Sequence, residues 1–147
     1  IGRLNALTGL SFKLPTEAQW EYAARGGSLS KSYKFSGSND LEEVGWYGSN
    51  SGNYTHRVGE KQPNELGLYD MSGNVWEWCE DWYGDYSSDS QSDPIGAVSG
   101  SFRVYRGGSR NSGARLCRVS YRLYNAPNRR NSFLGFRLVC SFPTFRS

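Results

Sequence analysis

The chain has 147 residues, 37% of them hydrophobic and 15% aromatic, with 18 Gly and a formal net charge of +3. That length fits one domain able to bury its own core, and the composition excludes a disordered chain. No apolar run is long enough to span a membrane and no signal peptide is visible, while a start at Ile1 reads as a fragment or a processed piece.

In chain order, residues 4–8 read as the end of a helix stopped by Gly9. Leu14–Gly27 holds the clearest helix. Thr16 and Gln19 form a capping box, Glu17 and Arg25 match the macrodipole, and Gly26 is the stop. Trp20, Ala23 and Ala24 give it a buried stripe. Residues 28–67 read as long ordered loop with short strands near Val44–Tyr47 and His56–Val58, and residues 84–100 as a second polar loop. Strand patterns occur at Asn74–Cys79, Phe102–Arg106, Cys117–Tyr121 and Leu134–Cys140. The sum is a single α+β domain, residues 1–147, with loop-dominated surfaces and no internal repeat.

Charge is unevenly placed. Residues 1–100 carry 7 basic and 14 acidic residues; residues 101–147 carry 10 Arg and no Lys, Asp or Glu. A basic tail for nucleic acid is one reading of such asymmetry. Here Arg is interleaved with Tyr, Phe, Leu, Val and Cys, so the segment is folded and no nucleic-acid partner is expected. Scaffold Arg residues are expected to pair with backbone and with acidic groups of residues 65–85. Cys79, Cys117 and Cys140 show no CxxC spacing and His56 is the only histidine, so no zinc site is expected; three buried free thiols are the preferred reading, with one disulfide and one free thiol as the alternative. No Walker loop, GxGxxG, GxSxG or HExxH occurs.

Five strings, LPTEAQWEYAARGG, NELGLYDMSGNVWEWCEDWY, RVYRGGS, CRVSYR and GFRLV, cover about half the chain. Together they resemble the sulfatase-modifying, formylglycine-generating enzyme family. The resemblance implies a C-type-lectin-like α+β fold, here truncated at the N-terminus, since the chain starts inside the family's first helix. In the enzymes of that family two cysteines, three and eight residues after the Ser of RGGS, bind copper. Counting from Ser109, the second is Cys117 and the first is replaced by Ser112. A hydroxyl is a poor copper(I) ligand, so no copper and no catalytic residue are expected. The resemblance also implies a calcium site on Asp70, the carbonyls of Gly73 and Val75, and Glu77. The alternative is a turn in which Asp70 caps backbone amides. Trp76 and Trp78 are expected in the core, with Trp82 and Tyr83 more open.

Residues 106–137 further resemble the variable proteins of diversity-generating retroelements, in which Asn codons are scrambled and scaffold codons spared. Randomised Asn codons of the usual form cannot give Lys, Gln, Glu, Met or Trp, and none of these occurs in residues 101–147. The candidate variable region is 103–139. Its candidate ligand-binding residues are Arg110, Asn111, Ser112, Arg115, Leu116, Leu123, Tyr124, Asn125, Arg129, Asn131, Ser132 and Phe133. Tyr, Phe, Arg, Asn and Ser on rigid loops is the chemistry of a paratope. The expected function is therefore a non-catalytic domain that binds a protein or surface-glycan ligand, as a cell-surface, secreted or virion-surface receptor or adhesion module. The alternatives are an enzyme or pseudo-enzyme acting on sulfatases, and a structural lectin-fold module. The reading requires Arg110, Arg115, Leu116, Leu123, Tyr124, Arg129 and Phe133 to be exposed on one surface, with Cys117, Tyr121, Gly135 and Phe136 buried.

Overall fold

The computed structural model describes residues 1–141; the last six residues of the expected domain lie outside them. Three helices and six strands follow in the order α1 (Gly2–Thr8), β1 (Ser11–Lys13), α2 (Glu17–Ala24), α3 (Leu41–Val44), β2 (Trp76–Trp82), β3 (Arg103–Arg106), β4 (Arg122–Asn125), β5 (Leu134–Gly135) and β6 (Val139–Ser141). Four strands form a sheet in the order β4-β3-β2-β5, with β2–β5 parallel and the rest antiparallel; β1 and β6 form a separate antiparallel pair.

The α2 start follows its sequence signals. The Thr16 side chain accepts from the Gln19 amide, the Gln19 side chain accepts from the Thr16 amide, and Gly26 turns the chain at φ 89°. Gly9 ends α1 in the same left-handed conformation, φ 68°. The buried stripe of α2, Trp20 and Ala24, packs with Met71, Cys79, Val104 and Val119 into the main core. A second cluster, Phe35, Leu41, Val44 and Cys117, lies under the long loop.

Four expectations are corrected. Val44–Tyr47 and His56–Val58 are not strands. Val44 ends α3, which opens on Asp40 as an N-cap accepting from the Glu42 amide, and His56 stacks on Trp46. Cys117–Tyr121 is not a strand either: a 3₁₀ turn, Ala114–Cys117, leads into β4. Leu134–Cys140 is two strands in different sheets. Phe136 is exposed, 61%, because β5 ends at Gly135 on the sheet edge and Phe136 leaves the sheet; Tyr121 and Gly135 are half-buried.

The pleat sorts the sheet into two faces. Glu77, Cys79, Val104, Arg106, Arg122 and Tyr124 face α2. Trp76, Trp78, Tyr105, Leu123 and Asn125 face away, as the register pairs Glu77 with Arg106, Trp78 with Tyr105 and Tyr105 with Leu123. On the α2 face the scaffold arginines are neutralised. Arg106, 0% exposed, donates to Glu17 (2.7 Å), to Glu21 and to the Val119 carbonyl (2.6 Å). Arg122 binds Glu17 through two nitrogens (2.9 and 2.6 Å). The expectation that scaffold arginines pair within residues 65–85 holds for Arg137 with Glu77 and for Arg103 with the Glu80 carbonyl. For Arg122 it holds at the Gly84 carbonyl, but the acids of Arg106 and Arg122 come from α2, because the pleat aims both strands' arginines at that helix.

Asp81 sits beneath the same helix, its Oδ2 accepting from the Glu17 amide at 2.7 Å. Burial pushes its pKa up, against the pull of that amide, and the Glu17 charge raises it further. An aspartate raised on folding stabilises the protonated form, so its contribution is present at low pH and lost as pH rises through the folded pKa. Asp81→Asn, which keeps an acceptor for the amide, should raise Tm at pH 7. The gain should vanish below about pH 4, where an ordinary aspartate is protonated in both states. A fall in Tm at pH 7 would mean that the amide needs the charge.

Candidate functional site

The Gly107-Gly108 turn positions the decisive segment. Both glycines are left-handed (φ 96° and 75°), and a Cβ on Gly108 would lie 2.5 Å from the Cys117 sulfur. The chain is thereby pressed onto Cys117, which is 0% exposed and whose thiol burial pushes up to about 12. The Ser109 amide donates to Ser112 Oγ at 3.0 Å and lies against the Cys117 thiol. Ser109 Oγ and Ser112 Oγ are 3.0 Å apart. The two positions that hold copper in the enzymes are thus neighbours of one amide, but one is a hard hydroxyl and the other a protonated, sealed thiol. These residues do not fit copper(I). Ser112, 5% exposed, was expected on the ligand face; it is corrected to a buried bracket of the 109–112 turn.

The remaining candidates divide. Arg110 donates to the Ser132 hydroxyl at 3.2 Å, tying two candidate segments together. Asn125, Arg129, Asn131 and Phe133 line one cavity of about 150 Å³ with Trp76, Tyr105 and Leu134. Leu123 shares that sheet face, half-buried. Tyr124 does not. As the alternate residue it points to the α2 face and packs on Tyr83 (4.1 Å between ring centroids) and Phe102 (5.1 Å). The expectation of one contiguous exposed surface is corrected: Tyr124 lies on the other face, and Arg110, Leu116, Leu123 and Phe133 are half-buried. Asn111 is exposed but its Oδ1 accepts from Ser109 Oγ at 2.7 Å. Arg115 is exposed and Leu116 half-buried, both on the 3₁₀ turn.

Trp76, expected in the core, and Tyr105 also form the wall of this cavity, a role not foreseen for either; their alternation with Glu77 and Arg106 is the signal in the sequence that points to it. A second cavity, about 300 Å³, opens beside Trp78, Arg103 and Pro127. A third, about 510 Å³, lies between α2 and residues 84–97 and contains none of the candidate ligand-binding residues.

For calcium, Asp70 and Glu77 differ. Asp70 takes φ 59°; its Oδ2 accepts from the Gly59 amide (2.8 Å), and its buried Oδ1 has no partner among the described residues. An orphaned carboxylate oxygen suits a cation. Glu77 Oε2 accepts from the Trp20 indole (2.7 Å) and Arg137 Nε (2.6 Å), and Oε1 from Arg137 Nη2 (2.7 Å). Glu77 is therefore committed to an ion pair, with one lone pair left on Oε1. No cluster of three or more His, Cys, Asp or Glu suited to a metal occurs among the described residues.

Comparison with known proteins places this geometry in a family. Residues 2–142 match the sulfatase-modifying factor enzyme 1-like domain, and the chain belongs to that family. It is 50% identical to the solved structure of Treponema denticola variable protein 1, with a TM-score of 0.80 over 86% of this chain and 46% of that one. It is 38% identical to the formylglycine-generating enzyme of Streptomyces coelicolor over 144 residues, 85% of this chain and 45% of the enzyme. It is 37% identical to the chaperone protein LppX of Paenibacillus barcinonensis, over 75% of this chain and 42% of that protein. The chain spans less than half the length of these relatives. The expected α+β fold of the formylglycine-generating type is borne out.

Proposed function

We propose that this domain is a non-catalytic binding module that presents a diversified loop surface to a protein or surface-glycan ligand. The observation that carries the reading is the meeting of Arg110, Asn125, Arg129, Asn131, Ser132 and Phe133 around one face of the sheet, while the scaffold between them is anchored. Likeness to a variable protein supports it. Such a module works at a cell, secreted or virion surface. No helix among the described residues is long and apolar enough to cross a membrane. The test is a displayed library randomised at these six positions and panned against a set of folded proteins. Selective binders with an unchanged Tm are expected; a library that folds but yields no selective binder overturns the reading.

Likeness to formylglycine-generating enzymes favours the second reading, an enzyme acting on sulfatases. Ser112 decides between them. The reduced protein with copper(I), oxygen and a CxPxR peptide should give no formylglycine by mass. Ser112→Cys should create copper(I) affinity, because its sulfur would sit beside the amide that already contacts Cys117. Turnover by the unmodified protein would restore the enzyme reading.

Calcium belongs to the proposal through Asp70. Its orphaned oxygen, the free lone pair of Glu77 Oε1 and the carbonyls of Gly73 and Val75 would supply the ligands. Calcium at about 100 times its Kd should stabilise the fold by about 2.7 kcal/mol, seen as a rise in Tm that Asp70→Ala abolishes. An unchanged Tm in millimolar calcium removes the ion from the reading.

A further inference from the structure

Six arginines of the segment 101–141, at positions 103, 110, 115, 118, 129 and 130, have no carboxylate partner among the described residues, whereas Arg106, Arg122 and Arg137 each hold at least one. The segment contains no acid of its own. One of the six, Arg129, lines the small cavity on the outward sheet face, and Arg110 holds Ser132, between the lining residues Asn131 and Phe133.

The cavity has a specific chemistry. Its aromatic wall is Trp76 against Tyr105, centroids 4.8 Å apart and edge-to-face at 71°, with both residues buried. Phe133, half-buried, is the third ring of the lining. Its polar groups are donors. Asn125 Oδ1 is taken by the Ala126 amide (2.9 Å), so the Asn125 amide nitrogen faces the Tyr105 phenol, and the phenol O–H remains free to donate. The Arg129 charge lies near that phenol. Asn131 adds a second amide. A cavity of about 150 Å³ holds one side chain and no more.

We propose that this cavity receives the carboxylate of an acidic side chain on a protein partner, with Arg129, the Tyr105 hydroxyl and the Asn131 amide as its donors. The proposal rests on the binding reading above and names its ligand class. Charge complementarity selects the occupant: a basic, acid-free segment with unpaired arginines repels a basic partner and attracts an acidic one. A small cavity of about 150 Å³ favours a single protein side chain over a nucleic-acid backbone, which needs an extended basic track.

The test is a nitrogen-15 NMR titration of the 147-residue chain with the probe peptide acetyl-Gly-Glu-Gly-Glu-Gly-amide. The controls are the same peptide with Gln for Glu, oligothymidylate, and glucuronate. The Glu peptide should shift the Arg129 Nε–H, the Asn131 side-chain amide and the Trp76 indole saturably, and the Gln peptide should not. Arg129→Gln should weaken the response about tenfold, the scale of one charge-assisted hydrogen bond, and Asn131→Ala should weaken it less. Silence of those three resonances, an equal response to the Gln peptide, or tighter binding of oligothymidylate or glucuronate at the same resonances overturns the proposal. If the randomised library yields selective binders while the Glu peptide fails, only this inference falls. If both fail, the binding reading falls with it.

Discussion

Glu17→Ala should destabilise the domain by about 3–5 kcal/mol, the cost of stripping the partner from buried charges. Glu17 is itself buried and is bound at once by Arg106 Nη1, by two nitrogens of Arg122 and by the Tyr86 hydroxyl (3.1 Å). Its removal leaves Arg106 with Glu21 and a carbonyl, and Arg122 with the Gly84 carbonyl. Arg106 already carries one burden: its Nε is buried without a partner among the described residues. Urea denaturation should show the loss as a lower midpoint at unchanged m. The double variant Glu17→Gln, Arg106→Met should recover part of it, since replacing both ends of a buried pair is far milder than breaking one. A Glu17→Ala loss below about 1 kcal/mol, the range of exposed pairs, would mean that water reaches the network.

That network also marks where sequence reading ran out. The α2 cap was legible because its groups are three residues apart, and β2 and β3 because their alternation is local. The partners of Arg106 and Arg122 were not. Glu17 lies 89 residues from one and 105 from the other, and only the register that pairs β3 with β4 aims both at one helix. The misplaced strand at Cys117–Tyr121 has the same origin: its alternating apolar pattern runs from the end of a 3₁₀ turn at Cys117 into the turn that follows at Val119, and the two residues join different core clusters. The strand assigned to Val44–Tyr47 overlooked the Asp40 cap, a signal that was present in D-L-E-E. For the site, the segments were legible as separate strings, but their meeting was not. Tyr124 and Asn125 are neighbours in sequence and lie on opposite faces of the sheet, which composition cannot reveal.

The same distinction sets the largest effect expected on recognition. Replacing Arg110, Arg129, Asn131 and Ser132 together should change Tm little: Arg129 and Ser132 are exposed and Arg110 and Asn131 half-buried, and substitutions at the surface usually stay within about 0.5 kcal/mol each. Binding of a partner selected on the original surface should fall by at least about a hundredfold, because two or three interface residues carry most of an affinity. Arg110 is the member most able to break this pattern. Its Nε and Nη1 are buried without partners among the described residues, so its removal relieves a desolvation penalty and should, if anything, stabilise. Two nearby positions should behave in the opposite way. Ser112→Tyr forces a ring into the turn held by Ser109 and should cost about 1–3 kcal/mol by overpacking, and Tyr124→Ala strips an aromatic contact with Tyr83 and Phe102. Thermal melts and surface-plasmon binding on the same set of variants separate the two classes. If the four replacements unfold the domain, or if binding survives them all, the residues that meet around this cavity are scaffold and recognition lies elsewhere on the molecule.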